Sequence, residues 1–373
     1  MPVAATEIVP DDEALRLARR ARVLDELEAA GVDVLVAGRE ANARYVSGAP
    51  RLWMAGSRPF GLGCVFVRAT GAIHLLSTWD EGIPEEIPHE RLFGISFNSQ
   101  NFLKVLQGVE GAATAKVVAT DALATGAVTL LGHAFPEAEI VDGETLLDRA
   151  RRVKTPDEVD AIRDSVAVAE RALATTEAAL VPGVTERQLT AVFMEAMAAD
   201  GVVTPAAQDV AWRTSPDRPW HRASRDVPVE AGDLVAFEAG VVRGGYIGEL
   251  GRTLVVGGDR SGSAALFDRA DALGRRLLDA CVPDAPASVL LDAYAAAGEP
   301  PPPVPVARGL GLGYDLPLVT AALPQTAAEQ QLEVGMVLVL TTHVWEEGVG
   351  SVLHHEPVVV TASGPELLRS TDP

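Results

Sequence analysis

Lysine is almost missing from this chain: three residues, Lys104, Lys116 and Lys154, stand among 31 basic side chains. That shortage reads as a compositional bias of the source genome and carries no functional content. Positive charge as a whole is scarce, because 31 Lys and Arg face 52 Asp and Glu, for a formal charge of −21. A polyanion of this strength repels phosphate backbones and anionic lipid, which excludes nucleic-acid or membrane-surface binding as its main role. Cysteine is limited to Cys64 and Cys281, far apart and without a CxxC spacing. A disulfide framework and a thiolate metal site are therefore not expected. No apolar run reaches the ~18–20 residues of a membrane span, and Met1–Leu15 lacks the basic segment before an apolar stretch that a secretory signal carries. The expectation is a soluble, cytoplasmic protein.

What is present is ample core material: 48% of 373 residues are hydrophobic, which excludes disorder as the main state. At ~100–200 residues per domain the length suggests two domains, with the boundary at residues 150/151. Over residues 1–150 helix and strand alternate. Asp11 or Asp12 can cap a helix whose Leu15, Leu17, Val23, Leu24 and Leu27 recur near a helical period, and Gly31 stops it. Short apolar runs follow at Asp33–Gly38, Gly63–Ala69, Ala72–Thr78 and Lys116–Asp121, the pattern of an α/β layer.

The second domain, residues 151–373, opens on a capping box. Thr155 can cap, Pro156 suits the first helical position, and Glu158 closes the box. A second box, Thr185 with Gln188, starts the next helix. The succession of helix, Ala179-Leu180-Val181-Pro182, helix and strands is echoed 101 residues later around Ala280-Cys281-Val282-Pro283. The predicted domain is a duplicated, pseudo-twofold α+β unit with a cleft between its halves. The glycine run Arg308-Gly309-Leu310-Gly311-Leu312-Gly313 follows prolines and precedes no helix start, so a dinucleotide-binding reading fails its context test.

Chemistry concentrates between Gly232 and Gly258, which read as two strands joined at Gly244-Gly245. Glu238 stands inside an apolar strand and Glu249 on its partner, 11 residues on. A carboxylate in such a strand is costly unless it is paired or bound to something.

These residues resemble the creatinase / aminopeptidase P / prolidase family with the pita-bread fold, and the resemblance covers nearly the whole chain. The motifs that carry it are Glu238-Ala239-Gly240, Gly245-Tyr246-Ile247-Gly248-Glu249-Leu250-Gly251-Arg252-Thr253, Ala307-Arg308-Gly309-Leu310-Gly311-Leu312, Gly335-Met336-Val337 running to Thr341, and Leu353-His354-His355-Glu356. The resemblance implies an N-terminal creatinase-like α/β domain and a C-terminal pita-bread domain, an amino-acid-like small-molecule substrate and a homodimer. Metallopeptidases of this family hold two divalent ions with Asp, Asp, His, Glu and Glu; the matching positions here are Glu238, Glu249, Arg308, Thr341 and His355. None keeps the family residue, so neither a dinuclear metal site nor another cofactor is expected.

His221, after Pro219-Trp220, matches a family histidine that contacts substrate and that serves as acid/base in metal-free creatinase. The resemblance implies that role here, with Glu238, Glu249 and His355 as further catalytic candidates. Arg308 against Glu238 and Glu249 suits a small zwitterion, because guanidinium binds carboxylate and carboxylates bind ammonium groups. Further substrate-binding candidates are Tyr246, Thr341, His343 and Asp315, together with Arg51, Trp53 and Arg58 after the Tyr45-Val46-Ser47-Gly48 motif. In dimeric members the N-terminal domain of the partner subunit closes the pocket. Two alternatives stay open: a catalytically dead binding protein, and a rearranged mononuclear metal site from His343, His355 and Glu238 or Glu249.

Overall fold

Both predicted capping boxes form. Thr155 Oγ1 accepts from the Glu158 backbone N–H at 3.2 Å while Glu158 returns Oε2 to the Thr155 N–H at 3.0 Å. Thr185 and Gln188 repeat the exchange. These boxes start helices α6 (Pro156–Ala178) and α7 (Glu186–Ala199) of the second of two compact units, Met1–Arg151 and Arg152–Pro373. The computed structural model describes residues 12–50, 60–77, 80–94, 99–121, 125–207, 210–223 and 227–370. Arg51, Trp53 and Arg58 lie outside them.

The first unit is an α/β layer structure. Its strands are β1 (Val34–Arg39), β2 (Phe60–Val67), β3 (Ala72–Leu76), β4 (Leu92–Phe93), β5 (Val117–Thr120) and β6 (Glu139–Asp142), in the order β4-β3-β2-β1-β5-β6. Helices α1 (Glu13–Ala29), α2 (Glu40–Ser47), α3 (Ser99–Gln107), α4 (Thr125–Ala134) and α5 (Glu144–Arg152) alternate with them. Asp12 caps α1 through its side chain. Val23 and Leu27 are buried as their spacing demands, but Leu17 is exposed.

In the second unit α6 and α7 lead into β7 (Ala211–Arg213), β8 (Leu234–Arg243) and β9 (Tyr246–Val255). Then α8 (Ala264–Ala280) and α9 (Val289–Ala297) lead into β10 (Ala307–Leu310), β11 (Tyr314–Val319), β12 (Val337–Glu346) and β13 (Gly350–Thr361), with α10 (Pro324–Glu329) after β11 and β14 (Gly364–Leu367) at the end. Two helices followed by strands thus occur twice. All strands join one antiparallel sheet, in the order β11-β10-β12-β13-β9-β8-β7, with β14 on β13.

Helices α6 and α8 cover one face of this sheet. The packing of α6 is close enough that a Cβ on Gly248 of β9 would stand 2.2 Å from the Ser165 carbonyl carbon. Under α8 lies a hydrophobic core in which Leu273, Leu277, Tyr294, Leu338 and Val358 are fully buried. The glycines after β10 serve close packing too: a Cβ on Gly309 would meet the Asp315 and Leu316 carbonyl oxygens at 2.7 Å. Both cysteines are buried and free. Among the described residues no helix is long and apolar enough to cross a membrane.

Candidate functional site

The sheet register lines the site up. Glu238 on β8 pairs with Gly251 on β9, Gly251 with His355 on β13, and His355 with Thr341 on β12. Directly paired residues point to the same face of an antiparallel sheet, so all four share the face opposite the helices. Glu249, two residues from Gly251, joins them. A Cβ on Gly251 would sit 3.2 Å from His355 Cβ and Cγ. The missing side chain is what lets Glu238 and His355 come together.

At this spot Arg308, from β10, donates Nη2 to Glu249 Oε1 and stands 3.9 Å from Glu238 Oε1. His355 Nδ1 is 3.0 Å from Glu249 Oε1 and 3.8 Å from Glu238 Oε1. This buried nitrogen has no hydrogen-bond partner among the described residues. Tyr314 Oη donates to Glu249 Oε2 at 3.1 Å, and its ring lies under the Arg308 guanidinium at 4.9 Å.

Burial alone would raise the Glu249 carboxyl, whose side chain is 1% exposed. The His355 contact and the Arg308 charge overcome it and hold the group at about 2. Burial likewise opposes the Arg308 charge, and Glu249 overrides it, so the guanidinium is held above its ordinary value. Burial, then the Glu249 charge, push the Tyr314 phenol upward, so it stays an O–H donor. Glu238 is different: its side chain is 29% exposed, and Arg308 at 3.9 Å and His355 at 3.8 Å both stay outside hydrogen-bond reach.

Glu238, Arg308 and His355 face a cavity of about 550 Å³ that His221 and His343 also line. The walls are aromatic and apolar: Trp212, Trp220, Tyr314, Val304, Leu318 and Leu353. His221 reaches it on a tight loop closed by the Thr214–Arg222 bridge and by the Ser215 N–H donating to the His221 carbonyl at 3.0 Å. Its neighbour Trp220 adopts a φ of 69°, a conformation that costs a bulky residue ~1–3 kcal/mol. Offsetting contact comes from His343, stacked on the Trp220 ring with centroids 3.5 Å apart. Burial presses the His343 imidazole down to about 3, so it is a neutral stacking partner.

The structure thus brings His221, Glu238, Glu249, Arg308, His343 and His355 to one place. Two candidates face elsewhere, which corrects their expected role as substrate contacts. Tyr246 is three residues from Glu249, hence on the helix-covered face, where its Oη donates to Glu158 Oε1 at 3.1 Å. Asp315, next to Tyr314 on β11, turns away and accepts Lys154 Nζ at 2.8 Å in a buried pair. Thr341 is a partial case: its Oγ1 is buried without a hydrogen-bond partner, and the residue does not line the cavity. Sequence reasoning passed over Tyr314, Trp212 and Arg222. Tyr314 and Asp315 are adjacent in a strand, so choosing Asp315 for the cleft excluded Tyr314 by alternation. Arg222, one residue beyond His221, lies over the Trp212 ring at 5.1 Å and carried no motif.

Residues 160–362 match the metallopeptidase family M24, and residues 19–153 match the creatinase/prolidase N-terminal domain. The chain belongs to family M24. Among relatives it is similar to a Xaa-Pro dipeptidase of Pyrococcus furiosus, 24% identical over 224 residues, spanning 60% of this chain and 64% of that one. A Xaa-Pro dipeptidase of Pyrococcus horikoshii is 20% identical over 94% of this chain and 96% of its own. The crystal structure of a dipeptidase from Pyrococcus horikoshii OT3 superposes with a TM-score of 0.78 at 16% identity, covering 95% of this chain and 98% of the other. The M24 pita-bread fold, with its creatinase-like N-terminal domain, is therefore the fold of this chain.

Proposed function

We propose that this M24 member is a metal-independent enzyme acting on a small amino-acid-like or zwitterionic substrate. The reaction is C–N bond hydrolysis or related acid/base chemistry, with His221 transferring the proton. The observation that carries this reading is the Arg308 guanidinium between the carboxylates of Glu249 and Glu238.

Those carboxylates stand where family metallopeptidases hold their two ions, and the residues here do not fit that pair. Arg308 offers five donors and no lone pair, so it cannot be a ligand. A divalent ion ~4 Å from it would meet roughly 8 kcal/mol of repulsion at an effective dielectric of ~20, twice the unit-charge value. The positive charge that a metal would supply to Glu249 is already supplied from within the chain.

The walls sort a zwitterion by charge. Glu238, half-buried and not hydrogen-bonded by its neighbours, receives the ammonium end. Arg308 and Arg222, both lining the cavity, face the carboxylate end, and the aromatic wall takes the apolar body. In hydrolysis, water forms its bond to the carbon while the C–N bond breaks, and His221 takes the proton the water releases and delivers it to the departing nitrogen. Glu249 is too buried to touch substrate and acts by holding Arg308.

A second reading draws support from the three donors Glu238, Glu249 and His355, whose ligand atoms lie within 4.8 Å of one another, and from the Xaa-Pro dipeptidase relatives. It is a hydrolase with one ion on a rearranged site. A binding protein without turnover is favoured instead by the exposed His221 ring, which no described side chain orients. A homodimer is the assembly we propose from the family resemblance, to be checked by light scattering.

Metal analysis by mass spectrometry, on protein purified without chelator or metal-affinity resin, comes first. Much less than one zinc, manganese, iron or cobalt per chain supports the metal-free reading, and one tightly held ion overturns it. A screen of amino acids, guanidino acids and dipeptides then identifies turnover. His221→Ala should abolish that turnover while ligand binding and fold persist; full activity in this variant would refute the assigned role.

A further inference from the structure

Behind the site, on the helix-covered face of the same sheet, a second cavity of about 260 Å³ lies between α8 and strands β9, β12 and β13. Strand alternation explains its lining. Arg252 of β9, Thr342 of β12, and His354 and Glu356 of β13 are neighbours of the front-facing Gly251, Thr341 and His355, so their side chains emerge on the other side. The helix contributes Gly274 and Arg275, and Arg369 closes the rim from the segment after β14. Without a side chain on Gly274, α8 leaves space over Thr342.

Three guanidiniums from three separate elements therefore converge in a chain whose net charge is −21. Two acids share the lining. Glu356 accepts Arg369 Nε at 2.7 Å and so holds that arginine in place; Asp271 lies one helical turn before Arg275. Arg252 meets Glu177 of α6 at 3.3 Å. Arg275 has no ion-pair partner among the described residues. The His354 imidazole likewise has no hydrogen-bond partner among them.

We propose that this back cavity binds a small oxyanion, of the inorganic phosphate, sulfate or small carboxylate class. Guanidiniums pair with such oxygens through directed, charge-assisted hydrogen bonds, and the half-buried His354 imidazole offers a ring N–H as one more donor. At ~30 Å³ per water the cavity equals roughly nine waters, enough for a tetrahedral anion and its inner hydration and too little for a nucleotide. The occupant would rest on β9 and β13, the strands that carry Glu249 and His355 on their opposite face. This inference is independent of the reaction assigned to the front cavity.

The test is isothermal titration of the full chain with inorganic phosphate, against sodium chloride at matched ionic strength. Saturable binding of about one phosphate per chain is expected, weakened at least tenfold in Arg275→Gln, an exposed helix position where glutamine keeps the helix. In histidine-selective NMR the His354 ring protons should shift along the same saturation curve. Sulfate and acetate titrations then distinguish tetrahedral from carboxylate ligands. Phosphate acting no differently from chloride, or binding unchanged in Arg275→Gln, overturns the proposal. So does binding that is lost in Arg222→Gln alone, since that places the anion in the front cavity.

Discussion

Arg308 on β10 donates to Glu249 on β9, two strands that are not neighbours in the sheet, and Tyr314 holds the other carboxylate oxygen. The bond spans 59 residues of sequence and is almost wholly buried. Breaking a buried pair from one side leaves an uncompensated charge, at ~3–5 kcal/mol. Arg308→Met should therefore cost about 3–5 kcal/mol in urea unfolding, and the double variant Arg308→Met/Glu249→Leu should recover most of it. Equal losses in the single and double variants would show that the pair is not what stabilises this region.

Acid should destabilise the protein in two windows. Burial holds His343 at about 3 and His354 at about 4, below the ordinary imidazole value of 6.5. Between those values the unfolded chain binds protons that the folded chain does not, so stability falls as pH drops through that range. Glu249, held at about 2 against an ordinary 4.5, contributes stability above pH 4.5 that is lost as pH falls toward 2. Stability should thus rise with pH from about 2 to 6.5. His343→Phe should remove its share of the imidazole window and leave the shares of His354 and Glu249, as read from urea midpoints across pH.

Trp220 and His343 make a separate, optical prediction. Their stack of 3.5 Å offsets a strained φ of 69° at Trp220. His343→Ala removes a ring pair worth about 0.5–1.5 kcal/mol beyond the burial it loses, and it should alter the near-ultraviolet circular dichroism of the tryptophans. His343→Phe should retain most of that signal, because the partner acts as a neutral ring. A loss of signal as large in the Phe variant would mean that the imidazole nitrogens matter.

Gly248 marks the closest approach of α6 to the sheet. A methyl group there would stand 2.2 Å from the Ser165 backbone, and backbone cannot swing aside as a side chain does. Gly248→Ala should cost about 3 kcal/mol or more, the upper range for overpacking. The substitution Gly262→Ala, where a Cβ meets nothing within 4 Å, is the control. A thermal melt comparing the two decides the matter.

Much of this protein was legible in its residue pattern. Both capping boxes lie within four residues of sequence, so their partners are already close where each helix starts. Glu238 and Glu249 read correctly as facing carboxylates because a hairpin with a two-residue turn sets its own register. The same alternation would have placed Tyr246 behind the sheet and separated Tyr314 from Asp315; there the signal existed and motif matching overrode it. Only the tertiary structure decided which distant groups met. Arg308 reached Glu249, Lys154 reached Asp315 across 161 residues, Trp220 covered His343, and Arg252, Arg275 and Arg369 gathered behind the sheet. The order of strands sets those meetings. A sequence states periodicity along one chain direction, whereas a β-sheet brings its functional groups together at right angles to it.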